Sequence, residues 1–402
     1  MSPFLLELLG DIHWMFVSVG IISSFMFLGL ALWARGRSQV RGDEPLPPVT
    51  ILKPFDGVDA GLADNFWSYV EADYAAPREV LFCTARENVE GIAVVEELLE
   101  RLAREPQEGV TARLLLPPEG EAPWITRKVW HMARGLAAAS HAIVVNGDSG
   151  TRLTDDTLPA LVRALVRDAK RGAVWAPYTV AEGSSLGARL TRVAWTATST
   201  NFLVIEGTNR ILGLRSMLAG GLFAARKEAL DQLDGLRECD GYLTEDMEVG
   251  ARIQANGWTV GPSPEPVIRY LEGLDFDGFF ARQLRWNTII WRFRNLLVYP
   301  YPLTMCGLAI APSTFVAASL AFPDRVVEYA LALAALFLVR SLYALVLSSI
   351  VNRRLAPLDT VVLLPLVDLV YLITWIRGPF VKTIRWRDTV LRVGPGGKVT
   401  PL

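Results

Sequence analysis

Apolar residues run without a charge from Trp14 to Trp33, WMFVSVGIISSFMFLGLALW, long enough to cross a bilayer as a helix. The segment ahead of this run carries Glu7 and Asp11 and no Lys or Arg, whereas a cleavable signal peptide has a basic start and a shorter apolar core. Basic residues follow instead at Arg35, Arg37 and Arg41, which predicts an outward N-terminus and a cytoplasmic chain from residue 35 onward. Three more apolar stretches lie near 302–322, 328–349 and 357–376. Arg340 interrupts the second, and Pro365 and Asp368 the third. Ionisable groups at such depth face other protein or a polar cavity, so these helices are expected to pack together. Arg353 and Arg354 favour a cytoplasmic loop between the last two stretches. Four full crossings would nevertheless leave the basic tail (Arg377, Lys382, Arg385, Arg387, Arg392) outside. The proline-bearing 302–322 is the candidate for a re-entrant or interfacial piece, and charge alone leaves the number of crossings open.

Between these ends the pattern changes. Short apolar runs, Val49–Leu52, Val80–Cys83, Ala112–Leu116 and Ala142–Val145, alternate with helical patterns such as Val94–Leu102 and Val129–Ala139. That alternation predicts βαβ units and a largely parallel sheet. The polar, proline-rich RGDEPLPP separates the first span from it. The expected organisation is an N-terminal membrane anchor and linker over 1–45, an α/β catalytic domain over 46–275, an interfacial amphipathic segment over 276–300, membrane helices over 301–377 and a basic tail over 378–402.

Composition sharpens this picture. The chain has 402 residues, with 40 Lys+Arg against 42 Asp+Glu, a formal net charge of −2. That balance makes no case for nucleic acid. With 51% hydrophobic residues and a mean hydropathy of +0.29, the chain reads as membrane-spanning, and intrinsic disorder is excluded. Cys83, Cys239 and Cys306 form neither an even framework nor a Cys-x-x-Cys pair, which excludes a disulfide scaffold and a zinc ribbon. Arginine far outnumbers lysine and alanine is abundant, as in GC-rich bacterial genomes, so a bacterial inner membrane is the expected location. Oligomeric state is not legible.

Three places carry candidate chemistry. The fourth apolar run leads directly into Asn146-Gly147-Asp148-Ser149-Gly150. In open α/β sheets ligands sit beyond the carboxyl ends of the strands, and an acidic residue flanked by glycines there suits a divalent cation on a diphosphate. The same aspartate could equally make a turn. About a hundred residues later, Leu243-Thr244-Glu245-Asp246 enters an amphipathic pattern that ends at Asn256-Gly257. Its two carboxylates could cap that helix and complement its dipole, or one could be a general base for a substrate hydroxyl. Third, FFARQLRWNTIIWRFRNLLVYP mixes arginines with Trp286, Trp291, Phe293, Leu296 and Leu297 just before an apolar stretch. It reads as an interfacial helix, and Arg285 and its neighbours could also hold diphosphate charge.

In this order the three places resemble the family 2 glycosyltransferases of the GT-A fold: the aspartate of a DxD-type metal site, a Glu-Asp pair bearing the base, and a (Gln/Arg)-x-x-Arg-Trp signature. The resemblance narrows to ceramide glucosyltransferases through Ile51-Leu52-Lys53-Pro54-Phe55-Asp56-Gly57-Val58-Asp59 with Leu62 and Asn65, Asp148-Ser149-Gly150, Pro177-Tyr178 and Trp386-Arg387. It covers nearly the whole chain and implies a GT-A domain with an N-terminal transmembrane helix and a C-terminal membrane bundle. The implied reaction is an inverting, non-processive transfer of a hexose, glucose favoured, from a UDP-sugar to the primary hydroxyl of ceramide at the cytosolic membrane face. Asp148 would then bind Mg²⁺ or Mn²⁺. Asp246, beside Glu245, would be the base, and Arg282, Arg285 and Trp286 would close over diphosphate and acceptor. Lys53 and Asp56 would line the nucleotide end, Lys128 would contact phosphate, and Gly220 and Gly221 would shape the sugar pocket.

Two departures from the family stand out. The aspartate expected after Cys83 is missing from Thr84-Ala85-Arg86-Glu87-Asn88, where Glu87 is the candidate substitute near uridine. Asp-Ser-Gly supplies one carboxylate where Asp-x-Asp supplies two. The alternatives left open are transfer of N-acetylglucosamine or glucuronate to a hopanoid or other polyisoprenoid lipid, and a membrane-anchored pseudoenzyme. A processive polysaccharide synthase would need more helices than these four candidates.

Overall fold

A computed structural model describes residues 3–38, 45–121, 123–181, 183, 185–292, 304, 306–352, 356–386 and 389–402. Arg41, Arg353, Arg354, Arg387 and the segment 293–300, on which parts of the charge and amphipathicity reading rest, lie outside the described residues.

The chain begins with helix α1 (Pro3–Ser38) and continues through β1 (Val49–Pro54), α2 (Leu62–Val70), β2 (Arg78–Cys83), α3 (Val89–Arg104), β3 (Val110–Leu115), α4 (Arg127–Ala138), β4 (Ile143–Gly147) and β5 (Thr151–Arg152). There follow α5 (Thr157–Val166), β6 (Arg171–Trp175), β7 (Tyr178–Val180), α6 (Leu186–Ala197), α7 (Phe202–Ile211), β8 (Leu222–Arg226), α8 (Lys227–Asp231), α9 (Glu245–Ala255), β9 (Thr259–Pro262) and β10 (Val267–Arg269). The last elements are α10 (Phe276–Arg292), α11 (Gly307–Ala321), α12 (Val326–Val351), α13 (Pro357–Arg377), β11 (Thr383–Trp386), β12 (Thr389–Val393) and β13 (Val399–Pro401). The chain separates into two compact units. One comprises residues 1–32, 184–205 and 274–396; the other comprises 33–183, 206–273 and 397–402.

The second unit is built on a seven-stranded sheet in the order β3-β2-β1-β4-β8-β6-β9. The pairs β2–β3, β1–β2, β1–β4 and β6–β9 are parallel, and β8 runs antiparallel to both neighbours. The α/β class and largely parallel sheet expected from the alternating pattern are therefore present; the antiparallel β8 was not foreseen. β1, β2 and β4 are buried along their whole length, which is why they read as unbroken apolar runs. Exposed β3 alternates instead. From β1 the chain goes to β2 and β3 on one side and to β4 on the other, so the strand order reverses between β1 and β4. That is where open sheets leave a crevice for ligands. β4 runs past Val145 because Asn146 and Gly147 keep pairing, with Phe223 and Leu222, and Asp148 emerges at the strand's end. A small second sheet, β5-β10-β7, borders this end of β4.

The first unit contains the long apolar helices. Residues Phe4–Ser38, Pro323–Val351 and Pro357–Phe380 are each long and apolar enough to cross a membrane. α11 has 15 residues, about 22 Å at 1.5 Å per residue, short of a hydrocarbon core of about 30 Å. α6, from inside the range expected for the catalytic domain, packs with α10, α12 and α13 in this unit. Arg340 and Asp368, the two charges inside the apolar stretches, are 1% and 0% exposed and pair at 3.0 Å. Asp368 also accepts the backbone N–H of Leu308 at 3.1 Å. Each charge thus has its partner inside protein, as ionisable groups at membrane depth require.

Candidate active site

Asp148 sits in a turn just past the buried strand β4. Its backbone N–H donates to Gly221 O at 2.9 Å, and its carbonyl accepts from Thr151 N–H at 3.2 Å. The same carbonyl accepts from Lys53 Nζ at 2.7 Å. Lys53 is fully buried at the end of β1, with its ammonium 3.6 Å from the centre of the Tyr69 ring. Burial pushes that ammonium well below the ordinary lysine range, against the pull of Asp148. Lys53, expected at the nucleotide end of the site, thus supports the Asp148 backbone from the end of β1.

The Asp148 carboxylate faces two cations. Lys128 Nζ lies 2.7 Å from Oδ1, and Arg269 Nη1 lies 2.7 Å from Oδ2. Burial disfavours the charge, but these two cations outweigh it and hold the carboxyl at about 2. Lys128 reaches from the first turn of α4 and also pairs with Glu245 Oε1 at 2.7 Å. Burial works against its charge, yet Asp148, Glu245 and Asp246 together hold it well above the usual range. One ammonium therefore lies within hydrogen-bonding distance of carboxylates that are 97 residues apart in the chain.

Glu245 and Asp246 form the first turn of α9, which ends at Asn256 with Gly257 at φ 89°, the stop read from the sequence. Asp246 Oδ2 accepts the Gly220 N–H at 2.6 Å and Oδ1 accepts its neighbour Met247 N–H at 2.9 Å. Burial, then the adjacent Glu245 charge, push the Asp246 carboxyl up to about 7, against Lys128 and the two N–H donors. A carboxyl poised there is suited to accepting a proton near neutral pH.

Gly220 and Gly221 precede β8 and must be small. A Cβ on Gly220 would lie 2.7 Å from Asp246 Cβ and Oδ2, and one on Gly221 would collide with the Tyr178 ring. The Gly221 N–H donates to Tyr178 Oη. Asp56 is partly exposed and accepts from Arg127 at 3.4 Å. Glu87 is exposed, while the next residue, Asn88, caps α3 by accepting Gly91 N–H at 3.3 Å and donates to Thr84 Oγ1 at 2.8 Å. Ser149 Oγ donates to Asp59 Oδ2 at 2.7 Å.

Arg282, Arg285 and Trp286 lie on α10 in the other unit, all half-buried. The Arg282 guanidinium lies 5.6 Å from the Trp195 ring centre. The buried side of α10 carries Phe279, Gln283 and Asn287, and Asn287 Nδ2 donates to Thr374 Oγ1 of α13 at 2.7 Å. This helix, expected at the membrane interface, thus puts polar residues against a protein neighbour. Arg269 was missed by sequence reasoning. It belongs to no motif, and only the pairing of β10 with β5 and β7 brings it to Asp148, 121 residues away.

Among the described residues no three His, Cys, Asp or Glu side chains are grouped to hold an ion. The chain therefore has no self-sufficient metal cage there. Its donor set does fit a cation that arrives with a diphosphate, since Mg²⁺ is commonly held by one or two carboxylates plus substrate phosphates. Asp148 is the carboxylate here that could supply one, in exchange for a contact with Lys128 or Arg269, which now face its two oxygens.

Glycosyl transferase family 21 is the family whose sequence model matches, over residues 14–399. The chain belongs to this family. This family 21 glycosyltransferase is 24% identical over 372 residues to ceramide glucosyltransferase 3 of Caenorhabditis elegans, covering 90% of this chain and 76% of the relative. To ceramide glucosyltransferase 1 of the same organism it is 24% identical over 279 residues, 68% of this chain and 57% of the relative. The narrower resemblance read from the motifs, toward ceramide glucosyltransferases, is borne out by these matches. Among solved structures it is similar to a mannosyltransferase from Pyrobaculum calidifontis in complex with GDP-Man and Mn²⁺, at 16% identity and a TM-score of 0.43, covering 90% of this chain and 99% of that one.

Proposed function

We propose that this glycosyltransferase transfers a hexose, glucose in the first instance, from a UDP-sugar to the primary hydroxyl of ceramide, with inversion at the anomeric carbon. The observation that carries the reading is the cluster at the carboxyl end of β4. There, one carboxylate is held ionised by two cations, and a second, Asp246, is poised at about 7. Asp246 takes the proton of the acceptor hydroxyl as its oxygen bonds to the anomeric carbon. The bond from that carbon to the diphosphate oxygen breaks in the same displacement, and UDP leaves with the electron pair. Lys128 and Arg269 bring positive charge to the place where the leaving diphosphate gathers negative charge. A divalent ion held by Asp148 would neutralise that same charge as a Lewis acid. The family resemblance assigns Arg282, Arg285 and Trp286 to the diphosphate and acceptor, Lys53, Asp56 and Glu87 to the nucleotide end, and Gly220 and Gly221 to the sugar pocket.

The acceptor class follows from physical cost as well as from the relatives' names. A lipid with long chains loses about 0.8 kcal/mol for each CH₂ it exposes to water, so its transferase must work at a membrane. Three helices able to cross one support this. A location in a bacterial inner membrane, with the catalytic domain on the cytoplasmic side where UDP-sugars are made, completes the reading.

The test is transfer by purified protein in detergent with Mg²⁺ or Mn²⁺. It crosses UDP-glucose, UDP-galactose, UDP-glucuronate and UDP-N-acetylglucosamine with ceramide and a hopanoid, and lipid products are read by mass spectrometry. Hexosyl-ceramide that disappears in Asp148→Ala and Asp246→Asn is the expected result. Product on hopanoid alone would keep the mechanism and replace the acceptor. Folded protein that makes no product from any pair would remove the reading.

A further inference from the structure

The antiparallel ladder between β4 and β8 ends on an altered rung. Leu222 opposes Gly147, so the next pair along is Gly221 and Asp148. Asp148 N–H donates to Gly221 O at 2.9 Å, and a regular rung would return a bond from Gly221 N–H to Asp148 O. That carbonyl instead accepts from Lys53 Nζ at 2.7 Å, Thr151 N–H at 3.2 Å and Thr151 Oγ1 at 2.6 Å. The Gly221 N–H goes to the hydroxyl of Tyr178. Tyr178 opens β7, is buried, and has Val267 of β10 as its register partner. Its ring packs directly on Gly221, since a Cβ there would fall on Cε1, Cζ and Oη.

The same corner reaches the second carboxylate. Gly220 N–H donates to Asp246 Oδ2 at 2.6 Å, and Gly220 O accepts from Lys128 Nζ at 3.4 Å. Gly220 O and Gly221 N–H are the two ends of one peptide unit, so Lys128 holds one end and Tyr178 the other. Two successive glycines leave the backbone unusually free to turn, and a buried N–H without an acceptor is costly. The Tyr178 hydroxyl therefore fixes the orientation of the peptide that lies between Asp148 and Asp246.

We propose that Tyr178 is a positioning residue for the transfer, holding the Gly220–Gly221 peptide so that Asp246 keeps its place relative to Asp148. The inference rests on Asp246 being the base. Tyr178 acts through the two glycines and not through its own proton. Burial, then the charges of Asp148 and Asp246, push its hydroxyl above the ordinary tyrosine range, so it stays neutral. The Pro177-Tyr178 pair, noted in the sequence by resemblance alone, thereby gains a physical task. What the task needs is the hydroxyl as acceptor, and Tyr178→Phe removes that alone while keeping the ring against Gly221.

The test compares wild type, Tyr178→Phe and Tyr74→Phe as the full chain in detergent. Tyr74 is the control: it too is buried, and its hydroxyl donates to Pro47 O at 2.6 Å, apart from the cluster. Tyr178→Phe is expected to lower kcat about 10²-fold, the cost of a small misplacement, with KM for the UDP-sugar that the wild type uses kept within about twofold. Tyr74→Phe should lower the Tm comparably and leave both constants alone. A Tyr178→Phe enzyme with wild-type kcat, or with a raised KM as its only change, would overturn the inference. So would a fall in kcat shared by Tyr74→Phe.

A second arm, hydrogen exchange read by mass spectrometry, needs no turnover. Tyr178→Phe should speed exchange both at Gly220–Gly221 and in the first turn of α9, and Tyr74→Phe at neither. Exchange changed at neither place, or at Gly220–Gly221 alone, would overturn the inference. If wild type makes no product from any pair, the proposed reaction fails, and this arm alone decides whether Tyr178 sets Asp246.

Discussion

Asp246 shows how a carboxylate acquires a proton affinity that its own chemistry does not supply. Burial and the adjacent Glu245 raise it to about 7, while Lys128 and two backbone N–H groups oppose that rise. If it is the base, only its ionised form works, so kcat/KM should climb as pH rises through about 7 on the acid side of the profile. Glu245→Gln removes a negative neighbour, makes ionisation easier and should move that limb to lower pH. Lys128→Met removes a positive neighbour and should move it to higher pH. Limbs that stay in place in both variants would separate Asp246 from proton transfer. Asp246→Asn keeps the shape, loses the proton acceptor and should lower kcat by about 10²- to 10⁴-fold. Circular dichroism and thermal unfolding close to wild type would show that the loss is chemical.

At the scale of elements, the site depends on how β8 enters the sheet. Gly220 puts its N–H 2.6 Å from Asp246 Oδ2 because no side chain stands between them. Gly220→Ala would push against Asp246 Cβ at 2.7 Å, and the first turn of α9 would have to shift. A misplacement of this kind can cost about 10²-fold in rate. The expected result is a large fall in kcat, with an ordinary stability loss of about 1 kcal/mol, checked by steady-state kinetics beside a denaturant titration. Of the elements that build the site, β1, β2 and β4 were legible as fully buried apolar runs, and α9 by its stop at Asn256-Gly257. The two-residue β5, the three-residue β7 and β10 were not. Strands so short carry no readable alternation, and it is β10 that delivers Arg269 to Asp148.

For the molecule as a whole, the unit that carries the long apolar helices is fixed internally by a polar contact among them. Arg340 of α12 and Asp368 of α13 pair at 3.0 Å, and Asp368 also satisfies Leu308 N–H at the start of α11. Three helices are tied at one carboxylate. Removing one partner of a buried ion pair costs about 3 kcal/mol or more, because the other charge stays buried. The two losses should not be equal. Arg340→Met leaves a carboxylate that can still accept from Leu308, whereas Asp368→Leu leaves a bare guanidinium and a bare N–H together. Thermal unfolding in detergent should therefore rank wild type above Arg340→Met and Arg340→Met above Asp368→Leu. The double variant should recover part of the loss of Asp368→Leu. An Arg340→Met variant as unstable as Asp368→Leu would count against the shared carboxylate.

What the sequence determined by itself was whatever depends on local periodicity and short spacing. The uncharged run Trp14–Trp33, the buried strands, the turn after Val145 and the carboxylates opening α9 all satisfy rules within a few residues of themselves. The resemblance to ceramide glucosyltransferases came from such motifs in their order along the chain. Tertiary structure alone decided which charges meet. It put Lys53 under the Asp148 backbone, Lys128 between Asp148 and Glu245, and Arg269 on the far oxygen of Asp148. It also paired Arg340 with Asp368. Coulomb interactions and desolvation depend on distance in space and on exclusion of water. Neither quantity is written in sequence separation, so the proton affinity of Asp246 had to wait for the fold.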